Sequence, residues 1–190
     1  MGTPPSSAAP FRADNDVELL AGVARGEPDA VSRLLDEIAP ILYGFLFARV
    51  GGNQAEAEDL LQETLLEAVR SAAGYRGDAA LSTWLCAIAR RRLARHYETE
   101  RRAEAVRHGL RLVEEGAEDP EVEGLDRRDE VVRALGQLSP LHRQVLVLKY
   151  LDGSSVEEIA EELGRTRVQV QSLLQRARDA LRRELGDHDA

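Results

Sequence analysis

The sequence predicts an all-α protein: two small helical domains joined by an acidic linker, the C-terminal one containing a helix-turn-helix. Three observations predict it. Ala, Leu, Glu and Arg dominate the 190 residues while aromatics make up only 4% and β-branched runs are rare, and those common residues are strong helix formers. Apolar residues recur at i, i+3, i+4 and i+7 along most of the chain. One stretch, residues 103–127, loses that period and fills with Glu, Asp, Gly and Pro, the composition of a linker.

Residues 1–13, with MGTPPSSAAP, read as a Pro/Ser-rich disordered tail without a signal-peptide layout. Residues 14–102 read as the first domain. In GEPDAVSRLLDEIAP, Pro28 suits a first helical turn, and Val31, Leu34, Leu35 and Ile38 share one face. Pro40 is expected to break or kink that helix. The apolar ILYGFLFARV ends at Gly51-Gly52-Asn53 and is too short and interrupted to span a bilayer. QAEAEDLLQETLLEAVRSA is an amphipathic helix with Leu60, Leu61, Leu65 and Ala68 inward. GYRGDA is a loop. LSTWLCAIARRRLARHYETERR is a further helix, with Ser82 the expected N-cap. Its Trp84, Leu85, Ile88, Ala89 and Leu93 can pack, leaving Arg91, Arg95 and Arg102 along another face.

Residues 128–188 read as the second domain. Val131, Val132, Leu135 and Leu138 give a short helix, and Ser139-Pro140 caps LHRQVLVLKYL. Asp152-Gly153 is a turn. A capping box from Ser155 to Glu158 opens the next helix, which ends at Gly164, and a second box from Thr166 to Gln169 opens the last. Two helices joined by a short Gly-containing turn are the helix-turn-helix arrangement, whose second helix enters the major groove. On that helix Val170, Leu174, Ala177, Leu181 and Leu185 share one face; Gln171, Gln175, Arg178 and Arg182 share another, with Ser172 and Arg176 beside it. Arg165 and Arg167 sit at its N-terminal end, where bases are usually touched. Arg pairs best with guanine and Gln with adenine. The arginines further along are better placed for phosphates.

Charge is arranged in blocks. The formal net charge is −9, which argues against a free-standing DNA binder, yet residues 74–102 carry seven Arg against three acids. Residues 14–73 carry four Arg against twelve acids, and residues 103–138 five against ten. Chemistry-bearing motifs are missing: there is no P-loop, no HExxH, no Gly-rich nucleotide loop and no nucleophile–base set, so neither an enzyme nor a cofactor is expected. His96, His108, His142 and His188 lack metal spacing, and the single cysteine, Cys86, excludes a disulfide framework and a Cys-based zinc site. Cys86 reads as a buried structural thiol in a protein of the reducing cytoplasm.

DLLQET, followed by STWLCAIARRR and then by a helix-turn-helix, resembles the bacterial RNA polymerase sigma factors of the extracytoplasmic-function type, over about Asp16 to Leu185. The resemblance implies a promoter-specificity subunit whose first domain docks on core polymerase, melts the −10 element and reads it, and whose second domain reads the −35 element. It nominates Asp59, Gln62, Glu63 and Leu66 for docking on the coiled coil of the β′ clamp, with the β flap as a further contact. It nominates the loop Tyr75, Arg76, Gly77, Asp78 and Ala79 for capturing the flipped −10 base, with Arg91, Arg95 and His96 supplying charge along the melted strand. For double-stranded −35 DNA it nominates Arg165, Arg167, Gln169, Gln171, Ser172, Gln175, Arg176 and Arg178. Trp84 reads as a core anchor. An anti-sigma factor is an implied partner, and membrane insertion is not expected. The acidic linker would thread the polymerase channels and mimic a nucleic-acid path. The chain departs from the family at Gln171 and Leu173, where cations are common; Leu173, at the edge of the apolar face, is expected to be free for a partner or a thymine methyl. A free-standing helix-turn-helix regulator and a sigma-like decoy that binds core or an anti-sigma factor are the other readings.

Overall fold

A computed structural model describes residues 13–110 and 127–186, and every long element in them is a helix. Residues 1–12 of the tail and the acidic run EEGAEDPEVEG therefore lie outside the described residues, and Ala13 is the first residue of a helix. Two separate apolar cores form. The first gathers Leu20, Leu42, Leu46, Leu85 and Leu93; the second gathers Val145, Ile159, Val170, Leu174 and Ala177.

The first core is built by α1 (Ala13–Ala24), α2 (Pro28–Arg33), α3 (Ala39–Arg49), α4 (Gln54–Arg70) and α5 (Leu81–Leu110). Pro28 occupies the first turn of α2, as expected. Pro40 does not break the helix. A π-helical turn over Leu34–Ile38 precedes it, in which the Ala39 N–H reaches back five residues to the Leu34 carbonyl, and the wider turn absorbs the geometry that a proline ring would otherwise disrupt. Asn53 caps α4 by accepting the Glu56 N–H at 3.2 Å. Ser82 is not the cap of α5, because the helix has already begun at Leu81; the carboxylate of Asp16 in α1 accepts the Leu81 N–H at 2.9 Å instead. At its other end α5 runs through Leu110, so eight residues assigned to the linker are helical.

The second core is built by α6 (Arg127–Gln137), α7 (Pro140–Leu146), α8 (Val156–Leu163) and α9 (Arg167–Gly186), with a π-helical turn over Val147–Leu151 after α7. Both expected capping boxes form. Ser155 and Glu158 bond reciprocally at the start of α8, while at α9 Gln169 Oε1 accepts the Thr166 N–H at 2.9 Å and Thr166 Oγ1 accepts the Gln169 N–H at 3.3 Å. Gly164 ends α8 in the left-handed region at φ 60°, which a side chain would disfavour. Leu173 is not free at the edge of α9: it is 3% exposed and belongs to the core, since its position follows Val170 by three residues on the packed face.

The two units are locked together. Arg49, at the end of α3, donates through Nη2 to Asp152 Oδ1 at 2.7 Å, and both side chains are over nine-tenths buried. The Arg49 guanidinium also donates to the Phe45 carbonyl at 2.9 Å and lies 3.5 Å from the Phe45 ring centre. Tyr97 of α5 donates its hydroxyl to the Arg49 carbonyl at 2.7 Å. Nearby, Arg143 of α7 reaches Glu100 of α5 at 2.7 Å, and Arg101 donates to Gln144. Gly51 and Gly136 meet backbone to backbone; a Cβ on Gly51 would fall 2.4 Å from the Gly136 Cα.

Truncating Leu173→Ala should cost about 2–5 kcal/mol in urea unfolding, whereas Gln171→Ala, on an exposed position, should stay within about 0.5 kcal/mol. Equal effects would contradict the packing of α9.

Candidate nucleic-acid interface

Most of the basic block lies on α5, beside a loop that a distant carboxylate organises. Asp16 holds the first N–H of α5, and its Oδ2 also lies 3.5 Å from the Tyr75 hydroxyl. Tyr75 donates to the Ala79 carbonyl at 2.6 Å, closing the loop on itself, and its ring packs 5.2 Å from that of Trp84. Gly77 sits buried at φ 78° at the centre of the turn. Arg76, Asp78 and Ala79 project to solvent, while Tyr75 is buried. Of the five loop residues, Tyr75 and Gly77 thus build the loop and the other three line its surface. Burial pushes the Tyr75 phenol up from 10.0 to about 12, helped by the Asp16 charge. Trp84 is partly buried against the first core, as a core anchor requires.

Arg91 and Arg95 are both exposed on α5. Together with Trp84, Gly74, Ser71 and Ile88 they line a groove of about 270 Å³ next to the loop. Arg90 is turned away toward Asp152 at 3.3 Å, and Arg92 is held by Glu67 at 2.8 Å and Glu63 at 3.5 Å. The three consecutive arginines therefore face three different partners, as successive steps of about 100° require. His96 lies outside the groove that Arg91 and Arg95 share and lines a second one with Arg95. It faces Glu56 and Glu100, at 3.2 and 3.4 Å.

Along α4, Asp59, Gln62, Glu63 and Leu66 all lie exposed on the side away from Leu60, Thr64 and Ala68, which are buried. Leu66 is 57% exposed, an apolar side chain left in water within an acidic edge. Thr64 is buried behind this edge, its hydroxyl satisfied by the Leu60 carbonyl of the same helix at 2.6 Å.

Of the nominated residues, Arg165 in the turn before α9 and Arg167, Gln169, Gln171, Ser172, Gln175 and Arg176 on it are exposed, and Arg178 is partly so. Several are engaged with neighbours. Arg167 pairs with Glu157 at 2.8 Å. Gln169 spends its carbonyl on the capping box. Gln175 donates to Asp179 and accepts from Arg178, which also donates to Tyr150 at 3.2 Å. Arg182 pairs with Asp179 at 2.9 Å. Gln171 projects from the same exposed face of α9.

Sequence reasoning passed over Asp16, Arg49, Tyr97, Glu100 and Arg143, because each works through a residue far away in the chain. Cys86 is half-buried against the first core, and desolvation pushes its thiol up, which suits a structural thiol.

Comparison with known proteins shows the family. The family model for sigma-70 region 2 matches residues 34–103, and that for sigma-70 region 4 matches residues 128–181. The chain is 35% identical over 185 residues to the ECF RNA polymerase sigma factor BldN of Streptomyces coelicolor, covering 92% of this chain and 69% of BldN. It is 34% identical to the ECF sigma factor SigL of Mycobacterium tuberculosis, covering 88% and 97%, and 32% identical to the sigma factor CarQ of Myxococcus xanthus, covering 85% and 92%. Among solved structures, the sigma factor RpoE of Bartonella quintana, in complex with the anti-sigma factor NepR, aligns at a TM-score of 0.47 with 26% identity, covering 83% and 97%.

The buried phenols give a pH prediction. Tyr75 is raised to about 12, and burial pushes Tyr97 still higher. Below pH 10 the phenol is protonated in both folded and unfolded chains, and the stabilisation is complete. As pH rises from 10 toward 12 only the unfolded chain ionises, so stability falls. Urea unfolding at a series of alkaline pH values should show this decline, and Tyr75→Phe should make it shallower. An unchanged slope in that variant would contradict the burial of the phenol.

Proposed function

The chain belongs to the sigma-70 family as an RNA polymerase sigma factor of the extracytoplasmic-function type, and from that premise we propose which of its surfaces perform each step of promoter recognition. The loop 75–79 with Arg91 and Arg95 takes the melted −10 strand. The α4 edge of Asp59, Gln62, Glu63 and Leu66 docks on the β′ coiled coil. The exposed face of α9 reads the −35 duplex, with residues 14–110 and 128–186 as the two working units.

The observation that carries the assignment is the groove that α5 forms with Glu67, Ser71 and Gly74, just before the loop. It has an aromatic floor at Trp84 and two exposed guanidinium groups on its rim. A positive rim along a backbone path beside a recess for an unstacked base is what single-strand capture requires. At the docking edge, acids flanking an exposed leucine give on-rate and register through charge and adhesion through the apolar contact. Phosphodiester synthesis stays with the core enzyme, and the chain contributes no covalent step. It works in the cytoplasm with the polymerase. Among the described residues no helix is long and apolar enough to cross a membrane.

The locked arrangement of the two units is a resting form. Elements centred about 25 base pairs apart lie about 85 Å apart on B-DNA, whereas a compact chain of this length spans about 40–45 Å. Reading both at once requires that the Arg49–Asp152 contact part when core polymerase engages. An anti-sigma factor that stabilises the locked form is the partner consistent with this geometry.

Reconstitution with bacterial core polymerase and a promoter library tests the reading. Transcription should depend on the protein. Tight operator binding without core would instead favour a free-standing regulator, and core binding without promoter activity a decoy. The double variant Arg91→Ala, Arg95→Ala should reduce open-complex formation at least tenfold while retaining core binding. Glu63→Lys should weaken core association. Arg176→Ala should flatten the salt dependence of −35 binding by about 0.9 in log–log slope, one phosphate contact, and Gln171→Arg should change the preferred −35 sequence. Asp152→Ala, which leaves the Arg49 guanidinium buried without its carboxylate, should weaken the association of the two units by about 3–5 kcal/mol and enlarge the chain in small-angle scattering.

A further inference from the structure

His96 and two glutamates form a cluster that neither the docking edge nor the DNA groove uses. His96 Nε2 lies 3.2 Å from Glu56 Oε2 and 3.4 Å from Glu100 Oε2, and the three atoms fall within 4.8 Å of one another. All three atoms are closed to solvent, and none has a hydrogen-bond partner. Such atoms carry a desolvation penalty unless something satisfies them. A proton on Nε2 lies in the ring plane and points one way, and here it makes no well-aligned bond to either carboxylate. A cation between the three would satisfy all of them.

We infer that Glu56, His96 and Glu100 form a binding site for a divalent transition-metal ion of the zinc class. The spacing fits. For tetrahedral zinc with ligands at about 2.0–2.1 Å, neighbouring ligand atoms are about 3.3–3.4 Å apart. The charge fits as well, because two carboxylates and a neutral imidazole balance a dication. An imidazole with two carboxylates selects zinc-like metals over Ca²⁺ and Mg²⁺, which take mostly oxygen ligands in higher coordination.

The ligands are held in place before any ion arrives. His96 and Glu100 are four residues apart on α5 and so project to the same side. Glu56 comes from the first turn of α4, where Asn53 accepts its N–H. The second oxygen of Glu100 accepts from Arg143 Nη2 at 2.7 Å, an outer contact of the kind that orients metal ligands. A groove of about 320 Å³ adjoins the cluster, lined by Asp59 and Glu63 and by the guanidinium groups of Arg92 and Arg95, and is the side from which an ion and a fourth ligand would enter. The ion would pin α4 to α5 beneath the exposed acidic edge and tie both to α7 through Arg143.

The full-length chain, stripped with chelator and titrated calorimetrically with Zn²⁺, tests this directly. One ion per chain is expected at this site, with Co²⁺ substitution giving the visible spectrum of a tetrahedral site with nitrogen and oxygen ligands. Zn²⁺ should raise the melting temperature of the wild type, because it binds the folded chain. His96→Gln should lose at least tenfold in affinity and abolish the melting shift, and Glu56→Gln should do the same if the His96 variant fails to fold. No saturable Zn²⁺ binding, unchanged binding in a folded His96→Gln chain, or equal binding of Mg²⁺ would each overturn the proposal.

Discussion

The arrangement of the molecule depends on one buried guanidinium. Arg49 ends α3, the most apolar helix of the first unit, and its side chain is 8% exposed. A charge in that position is tolerated only with nearly complete pairing. Asp152 supplies a carboxylate from the other unit, Phe45 a carbonyl and a ring face, and Arg90 a second cation against the same carboxylate. Asp152 can sit there because the π-helical turn after α7 delivers it, its N–H bonded to the Val147 carbonyl five residues back. The glycine pair at 51 and 136 lets the backbones approach closely enough for the ion pair to close. The position of α9 relative to α5 follows from this contact.

An ion pair is a suitable joint for units that must also separate. An apolar seam of the same area would expose its surface to water on parting, and its cost would grow with area. Arg49 and Asp152 regain hydration when they part, which offsets most of what the contact contributes. The cleft beside the joint already holds polar groups from both sides: Arg90 and Arg91 from α5, and Asp152, Ser154 and Glu162 from the second unit. Arg91, proposed above for the −10 strand, lines this cleft with Asp152 and Glu162 but pairs with neither; its Nε reaches only the Ala87 carbonyl of its own helix.

Features whose cause is local were legible in the sequence. The helices follow from periodicity, the boxes at Ser155 and Thr166 from spacing, and the exposed acidic edge of α4 from its apolar stripe. What escaped was set by residues far apart in the chain. Ser82 looked like a cap, but Asp16, 65 residues upstream, takes the N–H. Leu173 looked peripheral on a helical wheel, yet α9 is covered by α6, α7 and α8 together, so its buried arc is wider than a single stripe. Pro40 looked like a break because a π turn cannot be read from composition. The histidines lacked metal spacing because the second and third groups of the cluster come from one residue a turn away and another 40 positions upstream.

An acidic chain is compatible with the role proposed for α9. The cations of α9 are partly spent within their own domain: Asp179 holds Arg182 and, through Gln175, Arg178, while Glu157 holds Arg167. These are exposed pairs, worth a fraction of a kcal/mol each in water. In the proposed reading phosphates displace them, the net attraction that remains is small, and α9 alone is expected to bind weakly. With α4 docked on the polymerase as proposed, the effective concentration of α9 at the duplex rises, and that tether supplies the affinity that the helix's own charge does not. Weak intrinsic binding then becomes a source of selectivity, because the protein reads promoters only when it is carried there.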